Sequence, residues 1–412
     1  MQTALAAEFK NTPAGQEAEA ILRQCVHCGF CTATCPTYQL LGNELDSPRG
    51  RIYLIKQVLE GVPPTRQTQQ HLDRCLGCRN CETTCPSGVQ YGRLLDIGRQ
   101  AVEQRVPRQP AERRLRQGLR HGLTSPLFGP AMRLGQTVRG LLPTALKAKV
   151  PAPRPAGAWP RRTHARKVLL LAGCVQPAMA PNINAATARV LDAAGIECVL
   201  ARGQGCCGAL KQHLADAEGA LAQARANIDA WWPHIERGQI EAIVINASGC
   251  GAMVKDYGHL LRDEPRYASR SARVSELARD VSEWLPDITA ALSGRLRAAP
   301  GVFAWHAPCS LQHALKLGNT AQAQLEALGL PLRPAAQEAH LCCGSAGTYS
   351  VLQPELSAQL RERKLGHLLG ERAADRPAAI LSANIGCITH LQAVTDVPVR
   401  HWIEVVDELL QK

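Results

Sequence analysis

No stretch of this sequence approaches the 18 or more consecutive apolar residues of a membrane-spanning helix. The longest candidates, such as "KVLLLAGCV", have the length of buried strands. A spanning segment is therefore not expected, and the chain reads as soluble or peripheral. The opening "MQTALAAEFKNTPAGQEAEA" carries acids and no apolar core of secretory length, so a reducing cytoplasm is the expected compartment. Nucleotide signatures are missing too: no GxGxxG follows a strand pattern and no GxxxxGK[ST] loop occurs, so no flavin is expected on this chain. Aromatic residues make up only 4% of the sequence, and no nucleic-acid motif is present, so no nucleic-acid partner is expected. Acids are almost absent from residues 105–167, where Glu112 alone faces fifteen Arg and Lys. The net charge of +12 is thus the property of one segment.

Cysteine is abundant, with 17 in 412 residues. In a reducing compartment such a number points to metal or redox chemistry rather than to structural disulfides. "CVHCGFCTATCP" at 25–36 and "CLGCRNCETTCP" at 75–86 repeat one spacing, CxxCxxCxxxCP. Three thiolates of such a motif can wrap one face of a cubane cluster, and in two-cluster ferredoxins the fourth serves the other cluster. The expected ligand sets are Cys25, Cys28, Cys31 and Cys85 for one 4Fe-4S cluster, and Cys75, Cys78, Cys81 and Cys35 for a second. Structural zinc also uses CxxC pairs, but seldom with a third cysteine and a Cys-Pro at identical spacing twice. His27, inside the first motif, is either a group that tunes a cluster by hydrogen bonding or an exposed loop residue.

The chain divides into residues 1–104, 105–165, 166–300 and 301–412. In the first part, "NTPAGQEAEAILRQ", "SPRGRIYLIKQVLEG" and "GVQYGRLLDIGRQAVEQ" have helical periodicity. The second is a basic, Pro-rich connector ending in the linker-like "VPAPRPAGAWPRR". Its Arg, Lys, Leu and Met suit an anionic lipid surface or an acidic protein partner, against the plainer reading of a solvated linker. The last two parts are copies. Cys174, Cys206, Cys207 and Cys250 correspond to Cys309, Cys342, Cys343 and Cys387 at offsets of 135, 136, 136 and 137 residues. The β-like runs "KVLLLAGC", "AIVINASGC", "VFAWHAPC" and "AAILSANIGC" lead into these cysteines, with helical stretches between, as in an α/β unit. The eight repeated cysteines are candidates for a further cluster in each half, a dithiol redox site, or a quinone or docking pocket. Packing as small apolar residues is the plain alternative. Cys198 has no counterpart and reads as packing.

A cysteine, about thirty residues, CCG, about forty residues and a further cysteine resembles the cysteine-rich domain of heterodisulfide reductase. That family element usually ends in CxxC, whereas here Met253 and His390 stand in the last position, His390 being a weaker ligand candidate. The words "CVHCGFCTATCPTYQLLG", "HLDRCLGCRNCETTCPSGV", "ASGCGAMVKDYG", "HLCCGSAGTYS" and "ANIGCITHLQ" resemble the glycolate oxidase iron-sulfur subunit family across nearly the whole chain. The resemblance implies an α+β multidomain protein, in which a helical ferredoxin-like domain with two 4Fe-4S clusters precedes two α/β cysteine-rich (CCG) domains. It also implies an electron-transfer subunit on the cytoplasmic face of the inner membrane. Its partners would be FAD-containing subunits that oxidise glycolate to glyoxylate, and a quinone or other membrane acceptor. Related subunits act with 2-hydroxy acid or glycerol-3-phosphate dehydrogenases, and a disulfide reductase acting at the CCG sites is the alternative from another class.

Overall fold

The computed structural model describes residues 1–143, 147, 150–370, 372 and 375–411. The first domain is helical. Pro13–Gln24 and Pro48–Leu59 each begin with proline at the first turn, and Thr12 and Ser47 accept the backbone N–H of Gly15 and Gly50 as N-caps. These helices and Tyr91–Arg105 bury Ala18, Ile21, Leu22, Ile52, Ile55, Val58, Leu94, Leu95 and Val102 in one core. Their three- and four-residue spacing is the helical pattern of the sequence. Between them lie the short helices Phe30–Ala33 and Asn80–Thr84, one inside each cysteine motif.

The basic segment is not simply a solvated linker. Its first part folds into Pro110–Gly122, which is tied down by ion pairs: Arg108 and Arg116 are buried against Asp73, Glu103 and Glu112, with Arg108 Nη1 2.7 Å and Arg116 Nη2 2.9 Å from Asp73 Oδ2. Burial alone would raise the Asp73 pKa, but the two guanidiniums outweigh it and hold the carboxyl below its ordinary range. Part of the positive charge is therefore internal structure. The helix Phe128–Thr137 follows, with no buried residue.

Residues 166 onward form two parallel sheets of the same topology. Strands β1 (Arg166–Leu170), β2 (Ile196–Val199), β3 (Ala242–Ile245) and β4 (Ala278–Asp280) are ordered β2-β1-β3-β4. Strands β5 (Phe303–Trp305), β6 (Leu332–Pro334), β7 (Ile380–Ser382) and β8 (Val399–His401) are ordered β6-β5-β7-β8. All pairings are parallel. In each sheet the chain leaves the first strand to one side and returns on the other, so a crevice opens at the carboxyl ends of β1 and β3, and of β5 and β7.

The halves share one core. Val168, Leu170, Ile183, Val190, Leu285 and Ile288 of the first meet Leu325, Ile380, Trp402 and Val406 of the second. At its edge Arg189 Nη2 reaches Asp407 Oδ2 at 2.7 Å, and Ser248 Oγ meets Ser310 Oγ at 2.7 Å. The helical domain docks on this pair through Arg93 to Asp256 (3.1 Å), Tyr349 Oη to the Arg74 carbonyl (3.0 Å) and Thr83 Oγ1 to His313 Nδ1 (3.0 Å).

Candidate metal centres

The two ferredoxin motifs fold as the same loop. The second and fourth residues after each first cysteine are left-handed: His27 (φ 56°) and Gly29 (φ 85°) in one, Gly77 (φ 64°) and Arg79 (φ 59°) in the other. That backbone turns three thiols inward, while the fourth cysteine precedes its proline and faces the other loop. One cavity of about 430 Å³ is lined by Cys25, Cys28, Cys31 and Cys85, and a second of about 310 Å³ by Cys35, Cys75, Cys78 and Cys81. Cys81 also touches the first. Each cavity thus gathers three thiols of one motif and the last thiol of the other.

These groups have the chemistry of a cluster cage. Burial pushes the Cys31 thiol up to about 11 and those of Cys78 and Cys81 well above the ordinary thiol range, and ligation by a metal favours loss of such protons. Hydrogen-bonding groups already meet the sulfurs: Gly77 N–H lies 3.4 Å and Tyr91 Oη 3.5 Å from Cys75 Sγ as donors, and Thr37 Oγ1 lies 3.4 Å from Cys35 Sγ. His27 lines the first cavity and meets Tyr53 edge-on, with ring centroids 6.5 Å apart.

Beneath the second cavity lies a charged group that no pattern in the sequence marked. Arg51 is fully buried, lines the cavity, and donates to the His71 carbonyl (2.7 Å), Thr37 Oγ1 (3.0 Å) and Asp46 Oδ1 (3.3 Å). Asp46, also fully buried, takes His71 Nδ1 and Arg74 Nη1, each at 3.0 Å. Burial works against the Arg51 cation, yet Cys75, Tyr91, Cys35 and Asp46 around it raise its pKa above the ordinary value.

In the repeated halves the cysteines converge at the crevices. In the first, the Cys206 thiol is pushed down by hydrogen bonding with Cys174 and then Cys207, while Cys174 and Cys207 are pushed up. Cys250 stands on the helix Ser248–Lys255, in contact with Cys207. In the second, Cys309 and Cys342 sulfurs are 3.8 Å apart, and Cys343 contacts Cys387. The glycine of each CCG has a physical cause. Gly208 (φ 95°) and Gly344 (φ 88°) are left-handed, and a Cβ there would come within 2.9 Å of the Ala220 carbonyl oxygen and 2.5 Å of that of Ser357.

His306 is a further group the sequence reading passed over. It is 2% exposed, and its ring and the sulfurs of Cys343 and Cys387 offer ligand atoms within 4.8 Å of one another. Burial pushes its pKa down to about 3, so the ring is neutral. His390, the weaker ligand candidate, is buried on the helix Ile385–Gln392, and its Nε2 lies 3.2 Å from Ser357 Oγ. Cys198 sits in β2 against the shared core, in the packing role.

A family profile described as a 4Fe-4S dicluster domain matches residues 21–89, and one described as a cysteine-rich domain matches twice, at 168–255 and 303–392. The chain is 53% identical to the glycolate oxidase iron-sulfur subunit of Escherichia coli (strain K12), with 100% of both chains covered. The chain belongs to the glycolate oxidase iron-sulfur subunit family. A probable member from Bacillus subtilis (strain 168) is 30% identical over 91% of this chain and 89% of its own. Lactate utilization protein A of Geobacillus thermodenitrificans (strain NG80-2) is 28% identical over 55% of this chain and 90% of its own. The dicluster profile covers all eight thiols of the two cavities, and the repeated profile covers both crevices. As in the family, iron-sulfur clusters are the cofactors. Among the described residues, no helix is long and apolar enough to cross a membrane.

Proposed function

We propose that this subunit carries electrons from FAD-containing partner subunits, which oxidise glycolate to glyoxylate, to a quinone at the cytoplasmic face of the inner membrane. The observation that supports it most is the pair of cavities, each lined by three thiols of one motif and the last thiol of the other, with Cys81 also at the first. In this reading Cys25, Cys28, Cys31 and Cys85 hold one 4Fe-4S cluster, and Cys75, Cys78, Cys81 and Cys35 the other. A cluster so bound takes up and releases one electron at a time, which suits a carrier between a two-electron flavin and a quinone.

The protein's own groups support this direction of flow. Cys28 is exposed at the first cavity, flanked by Val26 and Phe30, which are 68% and 61% exposed, and this apolar rim suits a flavoprotein partner. The second cavity is turned inward, against the helix Ser310–Ala314 of the second cysteine-rich half, through Thr83 and His313. The membrane contact rests on the segment after Pro110. There Leu127, Leu134 and Leu141 are 74%, 67% and 88% exposed, and the segment also exposes Arg113, Arg114 and Arg133. Such a mixture suits insertion of apolar side chains at an anionic lipid surface.

Turnover of a disulfide at the CCG sites is disfavoured by burial: Cys207, Cys342 and Cys343 are at most 3% exposed. The lactate-utilization relatives make a related 2-hydroxy acid the alternative substrate. The test is glycolate-dependent quinone reduction by the assembled complex in membranes, with wild-type chain or Cys78→Ser. Loss of quinone reduction with dye-coupled glycolate oxidation retained on the flavoprotein is the expected outcome. Full quinone reduction in the variant would refute the reading.

A further inference from the structure

The two cysteine-rich halves have one topology, but their crevices differ in chemistry. Leu171 and His306 occupy the same place: each directly follows the first strand of its sheet, and Leu171 N–H donates to the Val244 carbonyl as His306 N–H does to that of Leu381. Their separation is the 135 residues that separate Cys174 from Cys309. The first half therefore closes its crevice with a buried leucine, the second with an imidazole.

The imidazole of His306 leaves one ring nitrogen unpaired. Its Nε2 is buried with no hydrogen-bond partner, which is costly for a polar atom unless something absent from the protein chain meets it. Among the described residues, His306, Cys343 and Cys387 are the only His, Cys, Asp or Glu side chains that bring three ligand atoms within 4.8 Å of one another. Cys342 and Cys309 continue the same chain of thiols, and Asn384 Nδ2 lies 3.8 Å from Cys387 Sγ.

A second difference concerns charge. The carbonyl of Ser357 lies against Gly344 as that of Ala220 lies against Gly208, an offset of 137 that sets Lys364 opposite Asn227. Asn227 is neutral and holds the backbone of Gly205 and Cys206. Lys364 is 2% exposed, donates to the Glu338 carbonyl at 2.6 Å, and stands beside the second set of thiols, which favour its charge against the burial that opposes it, whereas the first set has the more exposed Lys211 near Cys206. Four thiolates around a metal need such a counter-charge in an interior this dry.

Position completes the case. The second crevice adjoins the cavity of Cys78: Asn80 Nδ2 reaches the His340 carbonyl at 3.4 Å, two residues before Cys342, and His313 Nε2 takes up the same carbonyl at 2.9 Å while its Nδ1 meets Thr83.

We propose that the second cysteine-rich half, and not the first, holds an additional redox-active iron centre, in which His306 supplies an imidazole ligand beside thiolates from Cys309, Cys342, Cys343 and Cys387. Iron fits better than zinc because the centre stands next to the second ferredoxin-type cavity, in line with it. The inference rests on the electron-carrier reading above.

The test uses the full chain, purified anaerobically as wild type, His306→Leu (the residue of the first half) and His306→Cys. Iron, zinc and acid-labile sulfide are measured per chain, and nitrogen couplings are recorded by ENDOR at controlled potentials. The expected result is iron beyond the about 8 atoms of two cubanes. That excess is lost in His306→Leu and kept in His306→Cys, with a nitrogen coupling seen in wild type alone. Should His306→Leu fail to fold, His306→Cys still decides through loss of the coupling with iron retained. About 8 iron atoms in wild type, zinc in the second half, or excess iron and nitrogen coupling indifferent to both substitutions would overturn the inference. The signals of the two ferredoxin-type clusters are read in the same samples. Their absence would refute the proposed function, whereas their presence without further iron refutes this inference alone.

Discussion

Replacing Arg51 with methionine removes the buried cation beside the second cavity while keeping an unbranched side chain of similar length. Arg51 lines the second cavity, so ~8 Å is taken as the order of the separation between the guanidinium and the cavity's contents. At ~8 Å and an effective dielectric of ~20, one unit charge interacts by about 2 kcal/mol. For a one-electron couple this corresponds to ~90 mV. A cation favours the reduced, more negative state, so Arg51→Met should lower the potential of the second cluster by several tens of millivolts and up to that figure. Arg51→Lys should retain most of it. Stability also falls: the His71 carbonyl loses its 2.7 Å donor, and Asp46 keeps only His71 and Arg74. Breaking a buried pair costs about 3–5 kcal/mol, and the two remaining partners of Asp46 place the loss at the lower end. The assay is an EPR-monitored redox titration of the anaerobic chain, with Cys78→Ser identifying the signal that belongs to the second cavity. A potential that stays put or rises, with both signals intact, would refute the electrostatic argument.

Gly344→Ala should destabilise the second cysteine-rich half by about 3 kcal/mol or more, since a left-handed alanine costs ~1–2 kcal/mol and its Cβ overlaps the Ser357 carbonyl. Gly118→Ala, on an exposed helix face with nothing nearby, should be neutral or slightly stabilising, and thermal melts of the two variants check both. Asp280 is fully buried, and that burial pushes its pKa up to about 7, so the native state holds a proton that the unfolded state releases near pH 4. Stability should therefore fall as pH rises from ~4 to ~7 on this group's account, and Asp280→Asn should flatten that part of a denaturant-midpoint profile. Its Oδ1 would remain an acceptor for Ser282 N–H. Leu127→Gln with Leu134→Gln should weaken flotation of the complex with anionic vesicles severalfold and leave iron content unchanged. Equal flotation would remove that segment from the membrane contact.

Much of this architecture was legible because its signals are local. Pro48 and Ser47 mark a helix start, "KVLLL" and "AIVI" mark buried parallel strands, and the cysteine offsets mark a repeat, which returns as two sheets of one strand order. Strands β2, β4, β6 and β8 were not legible, because no apolar run leading into a cysteine marks them and pairing across the sheet defines them. The cysteines announced themselves by type and spacing. Arg51, Asp46 and Lys364 did not, since a charged residue in a helical pattern reads as solvated surface until the fold buries it. His306 had a signal that comparison of the halves could have found: "VFAWHAPC" sets histidine where "KVLLLAGC" sets leucine. The basic segment misled in part, because composition counts Arg108 and Arg116 as free charge and only the fold shows Asp73 between them.

The central claim is that each ferredoxin-type cluster takes its fourth ligand from the other motif. Anaerobic EPR of the dithionite-reduced chain, compared across Cys28→Ser, Cys78→Ser and Cys85→Ser, tests it most directly. The account predicts that Cys85→Ser alters the signal that Cys28→Ser alters and spares the one lost in Cys78→Ser, although Cys85 lies seven residues from Cys78. A Cys85→Ser spectrum that matches that of Cys78→Ser would contradict it.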